Sequence, residues 1–174
     1  MINLGDDMYS LNCLIIYSVL GFLLESTIYK VKKSKRHSGI CFGPFTYVYG
    51  FGVLGLNLLD QYFLPRIKGN RFFKGIITFF SCAFLMSIIE WLGGVILYAL
   101  FQVRLWDYSK KAYNMGPYVC LELSFVWGIL GCFYLYFVKK HLDPLISKIP
   151  KKVTLILTFL ELVDIIFVFL VKFF

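Results

Sequence analysis

The chain has 174 residues and a mass of 20.2 kDa, the size of one domain. It is 59% apolar and only 16% charged, against roughly 45–50% and about 25% in soluble domains. A soluble chain this small could not bury so much apolar surface, which excludes a soluble enzyme, a disordered chain and a disulfide-stapled secreted domain. The net charge of +8 sits mainly at the ends of apolar runs. There Lys and Arg suit anionic lipid headgroups, each contributing about 1 kcal/mol near a charged surface. No soluble segment is long enough to build a nucleic-acid-binding face.

In chain order, the start MINLGDDMYS is acidic and lacks the basic region of a cleavable signal. Five apolar runs of about 20 residues follow: Leu11 to Tyr29, Gly43 to Leu64, Gly75 to Phe101, Tyr118 to Val138 and Val153 to Val171. Connections are short, with Pro117, Pro144 and Pro150 as stops. The expected fold is therefore all-α: a polytopic α-helical integral membrane protein with about five transmembrane helices. Residues 1–174 read as one transmembrane domain, with a core over 10–140 and an additional C-terminal helix over 153–171. Its expected place is the cell membrane, as a multi-pass protein. Orientation stays open, because the Lys and Arg count is eight on one side and nine on the other.

The first run carries Glu25 about a turn inside its end. The second opens on Gly43-Pro44-Phe45 and continues through Tyr49-Gly50-Phe51-Gly52. Pro44 suits the first turn of a helix. The glycines suit either close helix contact or a re-entrant backbone. Glu90 sits near the middle of the third run, and Glu122 a turn into the fourth. Between them stand Arg104, Trp106-Asp107-Tyr108-Ser109 and Asn114-Met115-Gly116. If all five runs cross, these residues share one face. Embedded carboxylates cost about 2.5–3.5 kcal/mol each on insertion scales, so three on one leaflet point to a shared polar cavity. It would bind a cation, relay protons or hold a headgroup. Each carboxylate taken singly also fits a structural role, paired with Arg104 or a Lys. Trp106 fits an interfacial anchor, and Asp107 a turn cap or a partner of Arg104.

Ser124, Gly128 and Gly131 line one stripe of the fourth run, a packing face. Glu161 and Asp164 in the fifth are three apart and share a face; they need a partner, another subunit or protonation. The five Cys (13, 41, 82, 120 and 132) are spaced by 28, 41, 38 and 12, unlike any zinc pattern, and read as packing residues. His37 and Cys41 make a poor metal site. No metal and no cofactor is expected. There is no GxxxxGK[ST], HExxH or GxSxG.

Tyr17-Ser18-Val19-Leu20-Gly21-Phe22-Leu23-Leu24-Glu25, the GPF…YGFG stretch, Glu90-Trp91, the WDYS tetrad, Asn114-x-Gly116, Cys120-Leu121-Glu122-x-Ser124 and Trp127-Gly128 occur in one order. In that order they resemble the CmpB-like family of ABC-transporter permeases, small polytopic proteins found mainly in bacteria. The resemblance covers roughly residues 10–140. The chain departs from the family pattern at Phe22, where Trp is usual, and at Tyr47, where a second Pro is usual. The latter weighs against a re-entrant second run.

The resemblance implies a transport-system membrane subunit that works with a separate ATPase. The candidate cavity residues are Glu25, Gly43, Pro44, Tyr49, Glu90, Arg104, Trp106, Asp107, Tyr108, Asn114, Glu122, Ser124 and Trp127. Two other readings stay open: a membrane-embedded enzyme acting on lipid or lipid-linked substrates through Glu and Asp, and a membrane scaffold or regulatory protein. Whether the chain is an enzyme stays open too, leaning against. The expected partners are the lipid bilayer, the ATPase and a second copy of the chain, with no nucleic acid.

Overall fold

The computed structural model describes residues 7–33 and 38–173. Residues 34–37 of the Lys- and Arg-rich 30–37 connection, His37 included, lie outside them. The helices are α1 (Asp7–Val31), α2 (Tyr47–Leu58), α3 (Arg71–Phe101), α4 (Leu121–Phe133), α5 (Lys139–Ile146) and α6 (Lys151–Phe173). A two-residue antiparallel pair, β1 (Asn114–Met115) and β2 (Val119–Cys120), is the only sheet among the described residues.

Each expected run is helical. Four helices are long and apolar enough to cross a membrane: Asp7–Val31, Arg71–Phe101, Leu121–Ile146 and Lys151–Val171. The third of these joins α4 to α5 through a π-helical stretch, Tyr134–Val138. The second run differs. Its α-helix holds 12 residues, about 18 Å at 1.5 Å per residue. A π-helical stretch, Leu59–Phe63, and a 3₁₀ turn, Leu64–Arg66, then extend it.

The helix ends follow local chemistry. Asp7 in the first turn of α1 and Lys30 in its last turn complement the helix dipole. At Asn70 the side chain accepts the Phe73 N–H at 2.8 Å and caps α3. Gln102 in the left-handed conformation closes it, donating its N–H to the Tyr98 carbonyl. Two prolines behave differently from the expectation. Pro44 stands three residues before α2. Pro144 does not stop its helix but lies inside α5, which ends two residues later at Ile146. Pro150 does mark a boundary, its carbonyl accepting the Val153 and Thr154 N–H groups at the start of α6.

The chain forms two compact units. One runs up to Val53 and resumes at Pro144; the other is Leu54–Asp143. In the first, α1 packs on α6 and on the start of α2. A Cβ on Gly50 would lie 2.5 Å from the Leu14 carbonyl oxygen, so only glycine lets these backbones approach. Asn12, 3% exposed, joins α1 to α6 by accepting the Thr154 hydroxyl at 2.7 Å. In the second unit α3 packs along α4 through the small-residue stripe. Gly128 faces the Phe79 ring, and Gly131 faces Cys82. Ser87 donates to the Ser124 hydroxyl at 2.7 Å. All five Cys are free thiols, and all but Cys132 are buried.

Candidate functional site

The Leu54–Asp143 unit builds its polar cluster around Glu90, which is 3% exposed at mid-α3. Its two carboxylate oxygens accept from different elements. The Tyr108 hydroxyl donates to Oε1 at 2.9 Å, and the Trp127 indole N–H, from α4, donates to Oε2 at 2.8 Å. The 102–120 connection carries Tyr108 inward because its own backbone is pinned. The Tyr108 N–H donates to the Pro117 carbonyl at 2.8 Å, and the Trp106 indole N–H donates to the Tyr118 carbonyl at 3.2 Å. Gly94 leaves room for the Tyr118 ring, which a Cβ would meet at 2.4 Å. Gly116, at φ +68°, makes the turn between β1 and β2.

The rest of the WDYS segment faces outward. Asp107 accepts the Ser109 N–H at 2.8 Å, an Asx turn. These bonds from Ser109, helped by Arg104, hold the Asp107 carboxyl below the usual carboxylate range. Arg104 stands 4.0 Å from Asp107 and lies 4.9 Å over the Tyr98 ring. The Asn114 amide donates to the Lys111 carbonyl at 2.7 Å and to the Ser109 carbonyl at 3.3 Å, tying the turn together.

Glu122 does not join Glu90. It is exposed and accepts from Lys111 at 2.7 Å, which raises the Lys111 ammonium above its ordinary value. Beside that pair lies an open hollow of about 360 Å³ bordered by Ala112, Tyr113, Leu121, Glu122 and Phe125. Ser124 faces α3, bonded to Ser87, and donates to the Cys120 carbonyl at 3.1 Å.

The other unit holds Glu25, Gly43, Pro44 and Tyr49. Glu25 accepts the Ser38 hydroxyl at 2.7 Å and the Tyr49 hydroxyl at 3.3 Å. Ser38 and Thr46 hydroxyls lie 2.7 Å apart; since Ser38 donates to Glu25, Thr46 donates to Ser38. The Thr46 N–H in turn donates to the Ser18 carbonyl at 3.1 Å. The loop that precedes α2 is thus strapped to α1 through a carboxylate. The Gly43 N–H donates to Asp164 of α6, and Pro44 is exposed.

Sequence reasoning passed over three polar links. Tyr134 donates to Asn57 Oδ1 at 2.8 Å, Lys139 pairs with Asp60 at 2.5 Å, and Asn12 bonds Thr154. Each involves a polar residue in or beside an apolar helix, the signal that singled out the glutamates. The first two each join a residue inside one π-helical stretch to a residue beside the other, a placement that recurs at functional sites.

A family model described as "Putative ABC-transporter type IV" matches residues 12–173. The match runs nearly the full length of the chain and includes α6, the helix expected as an addition to the core. No curated protein and no solved structure matches the chain.

Proposed function

The chain belongs to the family that this model describes, and on that premise we propose that it is the membrane subunit of a transport system in the cell membrane. The observation that carries the reading is the match over residues 12–173, together with a sequence that has no P-loop. A chain of this kind draws its energy from a separate ATPase. The four long apolar helices supply the multi-pass frame.

Within that frame the Glu90 cluster is the candidate polar lining. A buried carboxylate held by an indole N–H and a phenol is rigid. It offers a fixed polar group to the polar part of a cargo in an otherwise apolar interior. Arg104, Asp107 and the Lys111–Glu122 pair form the exposed, charged surroundings from which cargo is drawn.

Purification from the native membrane in mild detergent, followed by mass spectrometry, tests the proposal. A stoichiometric ATPase is the expected companion, retained when Glu90→Gln is the bait and with cargo-dependent ATP hydrolysis reduced in that variant. A chain that purifies alone after chemical cross-linking sinks the transport reading.

A further inference from the structure

A second cluster lies between α6 and the loop of residues 38–46, apart from Glu90 and its partners. Both Asp164 oxygens accept backbone N–H groups, from Phe42 and from Gly43, each at 3.1 Å. Phe167 of α6 meets the Phe42 ring edge-on at a centroid distance of 5.0 Å. Asp164 is thus satisfied as an anion by two amides.

Glu161 is placed differently. It is three residues before Asp164 on the same face of α6 and 5% exposed. Its Oε1 is buried with no hydrogen-bond donor among the described residues. The Tyr47 hydroxyl is likewise buried, and its side-chain neighbour is the Cys41 thiol. It lies within electrostatic reach of Glu161, Asp164 and Cys41, and Cys41 is itself 5% exposed. The charged group acting on Glu161 is Asp164, of the same sign. Helix α1 also packs on α6 and meets it through the Asn12–Thr154 bond, and none of its described charged groups acts on Glu161.

An ionised carboxylate here would give up its hydration with no donor in return, beside a second negative charge. A carboxylic acid carries no net charge into the interior and so avoids that cost. We propose that Glu161 is a proton-binding site in the membrane interior, holding its proton while the 38–46 loop is latched to α6 by Asp164. The carboxylate takes one proton from water to form the acid and returns it to water when wetted. Only an O–H bond is made or broken. Lifting the loop from α6 wets Glu161, so proton occupancy and loop position are linked. The inference does not depend on the transport reading.

Infrared difference spectroscopy of the purified full chain in detergent tests it. At neutral pH the folded protein should show the C=O stretch of a protonated carboxylic acid that is absent from E161Q. Gln matches the shape of the neutral acid, so E161Q should keep the fold by circular dichroism. E161D, which keeps an acid, should shift the band and not abolish it, giving a second reading if E161Q fails to fold. The proposal is overturned if the wild-type band is absent at neutral pH, or if it survives unchanged in both variants. It is also overturned if added Na⁺ or K⁺ removes the band at fixed pH, which would assign the site to a monovalent cation.

Discussion

Replacing Glu90 by Gln turns one of its two acceptor oxygens into an NH₂ group. The Trp127 indole N–H can only donate and keeps the remaining oxygen, while the new NH₂ turns to the Tyr108 hydroxyl, which can also accept. Both bonds are then remade with a neutral amide, a change of about 1 kcal/mol, so E90Q should melt only slightly lower in detergent and keep its fold. The Trp127 emission should shift as its N–H loses the carboxylate. Glu122→Gln is the contrast. The Lys111–Glu122 pair is half to two-thirds exposed and screened by water and salt, so its loss should leave the melting temperature within error. Cys41 gives a pH test. Burial first, and then Asp164, push its thiol from 9.0 up to about 12. The folded state therefore keeps a proton that the unfolded chain loses above about pH 9. Its contribution is complete below that value and falls away as pH rises toward 12. Maleimide, which needs the thiolate, should leave Cys41 unmodified at neutral pH and label it on unfolding.

Pairs of elements fail in characteristic ways. Helices α3 and α4 approach closely where Gly131 meets Cys82; a Cβ there would sit 2.6 Å from the Cys82 Cβ. Gly131→Val must push α4 away, at about 1–3 kcal/mol for overpacking, and should lower thermal stability without changing helix content. The Tyr134–Asn57 bond links α2 to the π-helical stretch after α4, and both residues are buried. Tyr134→Phe leaves the Asn57 oxygen without its donor and should destabilise by about 1–3 kcal/mol. Adding Asn57→Leu removes the orphaned amide, so the double variant should recover part of that loss. A simple sum of the two single effects would show that the pair does not interact.

At the scale of the molecule, the long helices carry apolar outer faces. Leu155, Ile156, Phe159, Leu160, Leu162 and Val163 on α6 are all exposed, as they must be when lipid is the solvent. Topology turns on the second run. Its helix continues from Tyr47 through the π-helical and 3₁₀ turns to Arg66, and the five-span expectation has it cross. Single cysteines at Lys33 and at Gly69, in a Cys-free background, should then react with an impermeant reagent from opposite sides of sealed vesicles. Labelling from the same side would make the second run re-entrant and leave the four long helices as the spans.

The membrane class and the positions of the helices were determined by the sequence alone. Both follow from how much apolar surface must avoid water and over what length of chain, quantities that do not depend on pairing. The glutamates were legible as unusual for the same reason, and Gly128 and Gly131 as a packing face from their spacing. Only the tertiary structure decided what each polar residue meets. Glu90 and Glu122 look alike in sequence, yet one is enclosed by Tyr108 and Trp127 and the other lies exposed on Lys111. Asp164 finds its donors at Phe42 and Gly43, 122 and 121 residues away. A hydrogen bond needs its partner within about 3 Å, and that distance is set by packing between helices, which no local pattern in the chain encodes.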